Sequence, residues 1–294
     1  MNKGYIFKNK FLPYLFVLPQ LALVGIFFFW PSVVALQQSV LRTDPFGIRS
    51  RYVGLANFRA LFSDPNYHHS IRLTFGFSFA VAAGAMSLAL LFAVMANKRI
   101  SGARVYRTLF VWPYAVAPAT AAVLWLFMFQ PEVGILARWL RAIGINWDYR
   151  LNGGQALFLV IVASIWKQIS YNFIFFLAGL QSIPQSLIEA AAVDGAKPRT
   201  IFWRVTFPLL SPTTFFLIVM NLVYAFFDTF GVIDALTRGG PGKATETLAY
   251  RVYVDGMLNL NIGSSAAQSV ILLTVVVIIT VFQFRFIERR VYYG

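Results

Sequence analysis

The sequence lacks cysteine and has only two histidines and 11 acidic residues among its 294 positions. The absence of cysteine excludes disulfide bonds and thiolate metal sites. His68 and His69 are adjacent, which places them poorly for holding one metal ion, so a solvated loop is the better interpretation and no metal site is expected.

Signatures of catalysis are also missing. There is no G-x-x-x-x-G-K-[ST] phosphate loop, which argues against ATP hydrolysis by this chain. The apolar segments contain no clustered carboxylates or histidines that could perform acid–base chemistry. We therefore expect a protein that is not an enzyme, with no catalytic residues and no cofactor of its own.

Charged residues are scarce, at 12% of the chain, whereas 59% of the residues are hydrophobic and the mean hydropathy is +0.67. A soluble domain of this length does not have such a composition. Backbone groups in lipid must be hydrogen-bonded internally, and the apolar runs are too long for barrel strands, so an all-α integral membrane protein is predicted. About 20 apolar residues cross a bilayer core, and six segments qualify: 12–37, 71–96, 106–129, 156–180, 207–231 and 265–286.

Acidic residues are outnumbered by 25 lysines and arginines, which gives a net charge of +14. Basic residues are concentrated in the N-terminal ten residues, the loop 97–105, the loop around Glu189 and the C-terminal tail. These segments share one side of the membrane if six helices alternate, and the positive-inside rule predicts that this side is cytoplasmic. Because the charges are dispersed among membrane segments, we expect contacts with lipid headgroups and no nucleic-acid binding.

The loop around Glu189 has signals for a short helix between two membrane helices. Ser186 and Glu189 have the S-x-x-E spacing of a capping box, which predicts a helix that begins near Leu187. Pro184 is expected to stop the preceding membrane helix. An ordinary cytoplasmic helical hairpin is the simpler alternative for this segment.

The rest of this loop favours a surface on which another protein can dock. Three consecutive alanines, Ala190 to Ala192, make the predicted helix slim enough for another backbone to approach closely. Gly195 suits the left-handed turn that ends a helix, and Pro198 suits the first turn of a second helix. Pro208 is expected to mark the return to the membrane.

The spacing Glu-Ala-Ala, three residues, Gly195, nine residues, Val-Thr-Phe-Pro closely resembles the EAA loop of the permease subunits of binding-protein-dependent ABC importers. Two positions differ conservatively, since Val205 stands for isoleucine and Phe207 for leucine. The resemblance implies that this loop engages a separate ATPase. The residues implied in this coupling are Glu189, Ala190, Ala191, Asp194, Gly195, Val205 and Pro208.

The resemblance covers nearly the whole chain. Residues 52–62 look like the external "GL-N-F" segment of these permeases, and Gly239-Gly240-Pro241 and Gly263-Ser264-Ser265-Ala266 look like their last external loop. More narrowly, five further segments resemble the A-type permeases of bacterial sn-glycerol-3-phosphate importers: Leu12-Pro-Tyr-Leu, Asp44-Pro-Phe-Gly, residues 112–119, residues 166–173 and residues 221–230.

This resemblance implies a type I ABC importer permease fold and a set of partners. The implied partners are a homologous second permease, two ATPase subunits that hold ATP and Mg, and a periplasmic protein that delivers glycerol phosphate or glycerophosphodiesters. The implied organisation is a cytoplasmic N-terminus 1–11, a first transmembrane helix 12–37, a periplasmic loop 38–70, a five-helix permease core 71–286 with the cytoplasmic coupling loop 181–206, and a cytoplasmic tail 287–294.

The residues themselves also indicate where a solute passes. Lys167 lies about 11 residues into its predicted span, roughly 16 Å deep and close to the bilayer midplane. A charged group at that depth is costly and is expected to face a cavity, a partner or a ligand. Gln168, Tyr171 and Asn172 follow, and Tyr171 shares the face of Lys167 because it lies four residues later.

On the next span, Asn221, Tyr224 and Asp228 have the spacing of one helical stripe, and Asn221 is expected at a depth similar to that of Lys167. Cationic, amide and phenol groups around a water-filled path would suit an anionic phosphate that carries hydroxyls. Alternatively, Asp228 or a carbonyl neutralises Lys167 and the group only fixes helix packing. For Asn221 and Tyr224, hydrogen bonding between helices is favoured over ligand contact.

Two functions of different classes remain open. The first is a non-catalytic importer subunit that moves its solute by alternating access while separate ATPases supply the work, with another sugar or polyol as the alternative substrate. The second is an ion-coupled secondary transporter in which Lys167 and Asp228 form a relay. The second function leaves the Glu189 loop unexplained, and no internal inverted repeat is evident.

Overall fold

A computed structural model describes residues 11–44, 49–97 and 103–287. Within these ranges, five helical stretches are long and apolar enough to cross a membrane, and a bent pair of helices is so when taken together as one span: Leu12–Ser39, Pro65–Asn97, Arg107–Ala115 with Pro118–Phe129, Gly153–Ser182, Ser211–Asp228 and Ile262–Arg285. Each corresponds to one of the six segments predicted from hydropathy. The N-terminal ten residues, 98–102 and 288–294, whose charges predicted the orientation, lie outside the described residues, as do residues 45–48.

The helices are numbered in chain order: α1 Leu12–Val24, α2 Trp30–Ser39, α3 Ala56–Phe62, α4 Pro65–Asn97, α5 Ala103–Ala115, α6 Pro118–Phe129, α7 Ile135–Ala142, α8 Gly153–Ser182, α9 Gln185–Val193, α10 Pro198–Ile201, α11 Phe207–Leu209, α12 Ser211–Val223, α13 Phe230–Leu236, α14 Leu248–Tyr253 and α15 Ile262–Phe282. Five π-helical turns adjoin them: Gly25–Phe29, Phe202–Thr206, Tyr224–Asp228, Val254–Leu258 and Gln283–Ile287. The strands β1 (Leu41–Thr43) and β2 (Ser50–Tyr52) pair in antiparallel fashion.

The chain divides into two compact units. The first contains the described residues up to Asp64 together with Val252–Ile271, and the second contains Pro65–Arg251 together with the residues from Leu272 onward. The helix α4 begins at Pro65, within the segment 38–70 that was predicted to be a periplasmic loop. His68 and His69 consequently lie in the first turns of a helix rather than in a loop.

The third span differs most from the sequence prediction, which drew one helix through 106–129. It consists of α5 and α6, which are bent by 106° relative to each other. Pro118 explains the break, because a proline forces the preceding residue out of helical geometry, and Ala117 has ψ 143°. The bend exposes the last carbonyl groups of α5 within the membrane region.

Two other boundaries moved for local reasons. The helix α8 begins three residues before the predicted Ala156, because Asn152 accepts hydrogen bonds from the backbone N–H groups of Gly154 and Gln155 and so caps the first turn. The predicted span 207–231 is instead α12 followed by the π-helical turn Tyr224–Asp228.

In the first unit, two of the segments that resemble permease loops meet. Asn57 donates hydrogen bonds of 2.8 and 2.9 Å to the carbonyls of Ser39 and Leu41, which connects α3 to the end of α2 and to β1. Gly263 lies against the same place, where an added Cβ would collide with the Leu41 carbonyl oxygen. The close approach therefore requires glycine at this position.

The second unit is organised by a close contact between α4 and α8. The buried face of α4 carries small side chains four residues apart, at Ala85, Ala89 and Ala93, all fully buried. Small residues let helix backbones approach in lipid, where the hydrophobic effect does not drive association. On α8, Phe173 and Phe176 belong to one buried cluster with Ala89 and Ala93.

We expect Gly263→Ala to destabilise the first unit. The new methyl group collides with backbone, which cannot rotate away as a side chain can, and overpacking of this kind costs about 1–3 kcal/mol. Thermal unfolding of the purified transporter in detergent is the measurement. Gly25→Ala is the matched control, because a Cβ at Gly25 meets nothing within 4 Å, and equal melting temperatures for the two variants would contradict the packing described.

Candidate coupling surface and membrane cavity

The Glu189 loop begins where α8 ends. Ile183 leaves helical geometry, with ψ 124°, because Pro184 follows it, as the sequence predicted. The helix α9 then begins at Gln185, two residues before the predicted Leu187, with Pro184 at the N-cap position and no side-chain cap. The predicted capping box is therefore wrong, because Ser186 lies inside the helix, where its hydroxyl cannot reach the free N–H groups.

The end of α9 agrees with the prediction for Gly195, which has φ +78°. The Ala196 N–H bonds to the Ala191 carbonyl and the Gly195 N–H to the Ala192 carbonyl, both at 3.0 Å. These two bonds make a Schellman motif, which satisfies carbonyls that the end of a helix leaves free. Pro198 then starts α10, also as predicted.

None of the residues of α9 is buried. Glu189 and Ala190 are exposed, Ala191 is half-buried, and Val193 is 88% exposed. The loop returns to the membrane through the π-helical turn Phe202–Thr206, where the ring of Trp203 lies 5.2 Å from that of Phe207. The result is a narrow helix that projects from the membrane spans with most of its surface uncovered by the described chain.

The residues predicted to lie along a substrate path divide into two groups. A cavity of about 300 Å³ in the second unit contains five of the seven, and its lining residues are Tyr114, Pro118, Lys167, Gln168, Tyr171, Met220, Val223, Tyr224 and Asp228. Lys167 is midway along α8, and its side chain is largely buried. The cavity is therefore polar on one wall and lies within the membrane-spanning part of the chain.

Lys167 binds backbone carbonyl groups at the break between α5 and α6. Its ammonium group donates hydrogen bonds to the carbonyls of Tyr114, at 3.2 Å, and Val116. These carbonyls belong to the last turn of α5 and the residue that follows it, where the negative end of the helix dipole favours a cation. Asp228 lines the same cavity, but no ion pair joins it to Lys167 among the residues that the structure describes. Of the two neutralising partners considered from sequence, a carbonyl is the one observed.

Asn172 and Asn221 lie outside the cavity. They are fully buried, and their side-chain amides bond to each other at 3.1 and 2.6 Å between α8 and α12. Tyr224 lines the cavity and also approaches the Ser164 carbonyl, at 3.4 Å. The preference for hydrogen bonding between helices at Asn221 and Tyr224 thus agrees with the structure.

The predicted stripe of Asn221, Tyr224 and Asp228 is wrong as a single face, because it assumed an uninterrupted α-helix. Asn221 lies on α12, whereas Tyr224 and Asp228 belong to the π-helical turn that follows it, where a residue advances by less than the roughly 100° of an α-helix. Asn221 bonds to Asn172 between helices, while Tyr224 and Asp228 line the cavity. Sequence reasoning also missed Tyr114, for which the nearby Pro118 was the available signal.

A larger open cleft of about 930 Å³ lies in the first unit. The cross-strand neighbours Arg42 and Arg51 contribute to it, together with Arg49, Asn259 and Asn261. Asp44 also lines the cleft, so three arginines there face one aspartate and the cleft is positively charged.

Helices long enough to span a membrane, a polar cavity within the second unit and the exposed helix α9 are features of a polytopic membrane transport protein. The chain belongs to the family described as the binding-protein-dependent transport system inner membrane component, whose model matches residues 85–293. The expected fold class, membrane location and non-catalytic role are those of this family.

Close relatives cover almost all of the chain. It is 60% identical over 289 residues to the sn-glycerol-3-phosphate transport system permease protein UgpA of Rhizobium meliloti (strain 1021), covering 98% of this chain and 99% of the relative. It is 55% identical over 287 residues to the protein of the same description from Yersinia enterocolitica, covering 98% of this chain and 97% of the relative.

Solved structures share the fold. A bacterial ABC transporter for import of the acidic polysaccharide alginate matches with a TM-score of 0.82 and 24% identity, over 95% of this chain and 96% of that one. The bacterial alginate ABC transporter in complex with an alginate pentasaccharide-bound periplasmic protein matches with a TM-score of 0.84 and 23% identity. This match covers 97% of this chain and 96% of that one.

We expect Asn172→Leu and Asn221→Leu each to destabilise the second unit, because each leaves one buried amide without its partner. The double variant should recover part of the loss, with a coupling energy of about 1 kcal/mol. Unfolding of the four proteins in mixed micelles measures this cycle. Strict additivity of the two single losses would contradict an amide pair between α8 and α12.

Proposed function

We propose that this chain is the A-type membrane subunit of an importer for sn-glycerol 3-phosphate or glycerophosphodiesters. Full-length identity of 55–60% to permeases with that description supports the substrate class. The main structural support is the cavity around Lys167, which presents a cation and phenol groups in the middle of a span. The ion-coupled alternative is not favoured, because Lys167 and Asp228 do not contact each other.

We infer that the importer is assembled from this chain, a second homologous permease, two ATPases and a periplasmic binding protein. ATP and Mg bind to the ATPases, whose closure pulls on the coupling loop. Both termini and the loop 181–206 are then cytoplasmic, and 38–70 together with the last external loop faces the periplasm. The arginine cleft around Arg42 and Arg51 supports docking of acidic groups of the binding protein on that side.

The coupling role rests on the shape of α9. Its exposed alanines present backbone rather than long side chains, so an ATPase groove can hold it closely. Gly195 ends the helix without strain, which fixes the direction in which Glu189 and Asp194 project. Val205 and Pro208, both half-buried, connect this helix to the membrane spans and so transmit its displacement.

We expect Gly195→Ala to uncouple ATP hydrolysis from transport without preventing membrane insertion. A residue with a Cβ in the left-handed conformation costs about 1–2 kcal/mol, so the end of α9 should change direction. Gly195→Asn should be milder, because asparagine tolerates this conformation, and Glu189→Lys should uncouple by reversing the docking charge. Substrate-stimulated ATPase activity of the reconstituted complex is the measurement.

Gly76→Ala is the matched control for this test. A Cβ meets nothing within 4 Å at either glycine, so only the positive φ of Gly195 distinguishes the two sites. Wild-type stimulation in both Gly195→Ala and Glu189→Lys complexes would refute the docking assignment.

The substrate role rests on the third proton of Lys167. Two carbonyls accept hydrogen bonds from its ammonium, and an ammonium has three donors, so one remains for a phosphate oxygen in the cavity. Tyr171 and Gln168 offer further polar groups beside it, and Asp228 can accept hydrogen bonds from the glycerol hydroxyls. Asn172 and Asn221 have a structural role in this proposal.

We expect Lys167→Met to reduce uptake of sn-glycerol 3-phosphate by proteoliposomes about 10- to 100-fold, the value of one charge-assisted hydrogen bond. Lys167→Arg should retain more activity because it keeps the charge and the carbonyl contacts. Lys243→Met is the control, since it removes the same charge from an exposed position outside the cavity. Unchanged affinity and rate in a normally assembled Lys167→Met complex would exclude the ligand role.

A further inference from the structure

The external segment 130–152 presents an apolar face that no other described part of the chain covers. Ile135 and Trp139 on α7 and Ile143, the residue that follows its end, recur every fourth residue and are 68%, 73% and 64% exposed. Side chains at this spacing lie on one face of a helix. The other side of α7 packs against the rest of the chain, because Ala137 on that side is fully buried.

This segment is fixed to the ends of two membrane spans. The indole N–H of Trp147 donates to the carbonyl of Phe129, the last residue of α6, at 2.9 Å, and the two rings are 5.1 Å apart. Gln155, in the first turn of α8, bonds to the Asp148 N–H at 2.6 Å and to the Asn146 carbonyl at 2.7 Å. The segment is therefore held at the level where α6 and α8 leave the membrane.

Charge distribution in this segment leaves two arginines for an outside partner. Its only acids, Glu132 and Asp148, bind Arg150 at 2.6 and 3.1 Å. The hydrogen bonds to Arg150 lower the pKa of both carboxyl groups, which keeps them ionised and bound to Arg150 at neutral pH. Arg138 and Arg141 are exposed on one side of the apolar face, and neither forms an ion pair with any acid in the described ranges.

We propose that α7 is an interfacial anchor whose Ile135, Trp139 and Ile143 side chains insert into the headgroup layer of the bilayer. Arg138 and Arg141 bind the phosphates of anionic phospholipids there. A rigid apolar face with a tryptophan and flanking arginines, next to two span ends, matches the chemistry of this layer. The anchor would hold the ends of α6 and α8 at a fixed depth, and it does not depend on which solute the transporter carries.

The natural absence of cysteine permits a direct test in the complete complex, rebuilt with cysteine-free partner subunits. Trp139→Cys and Ile143→Cys are labelled separately with an environment-sensitive nitrobenzoxadiazole and reconstituted in vesicles of phosphatidylethanolamine and phosphatidylglycerol. Two further sites calibrate the depth: Phe79→Cys, on the exposed side of a span, and Val193→Cys, on the helix α9, which is measured without the ATPases because the proposed docking would cover it.

We expect brominated phospholipids to quench the labels at 139 and 143 and aqueous iodide to quench them much less than the label at 193. Two results would overturn the anchor. If iodide quenched the labels at 139 and 143 as strongly as the label at 193, the face would be aqueous. The same conclusion would follow if this iodide quenching disappeared only when the binding protein was added. Shielding from both quenchers would mean that a partner subunit covers it.

The arginines are tested separately with brominated phosphatidylglycerol in a background of phosphatidylcholine. Removing both in Arg138→Gln/Arg141→Gln should lower the enrichment of this lipid around the 143 label by roughly fivefold per arginine. Arg59→Gln, at an exposed arginine of α3, is the matched control. Equal enrichment in the two variants would overturn the phosphate contacts.

Discussion

The contact between the Lys167 ammonium and the carbonyls at the end of α5 is the constraint on which the membrane region depends. A helix broken within lipid leaves backbone carbonyls unsatisfied, and an isolated ammonium at the same depth is also unfavourable. Bringing the two together removes both penalties. The third span can therefore bend by 106°, and the space that the bend opens becomes the polar cavity.

The other polar residues of the same spans perform a different task. The side-chain amides of Asn172 and Asn221 hydrogen-bond to each other, which allows both residues to be fully buried. They therefore hold α8 and α12 together and exclude water. The alanines of α4 act in a similar way by closing the distance to α8. One side of α8 is thus a sealed helix interface, and the other side carries Lys167, Gln168 and Tyr171 towards the cavity.

Hydropathy and motif spacing predicted the class, the membrane segments and the end of the helix α9, because these depend on composition and on local backbone preferences. The left-handed turn at Gly195 and the stop at Pro184 are examples, since each follows from one residue. The bend at Pro118 was missed although its signal was local, because hydropathy averages across it. The separation of Asn221 from Asp228 could not be predicted, since a π-helical turn depends on tertiary contacts rather than on the sequence of that turn.

The π-helical turn Tyr224–Asp228 also determines how this span can change in length. Each residue of an α-helix advances the chain by about 100° around its axis, and a π-helical turn holds one more residue in about the same rotation. The deletion of one residue here would therefore restore α geometry and leave α13 close to its present direction. Such a deletion would change which side chains line the cavity without changing the path of the chain beyond it.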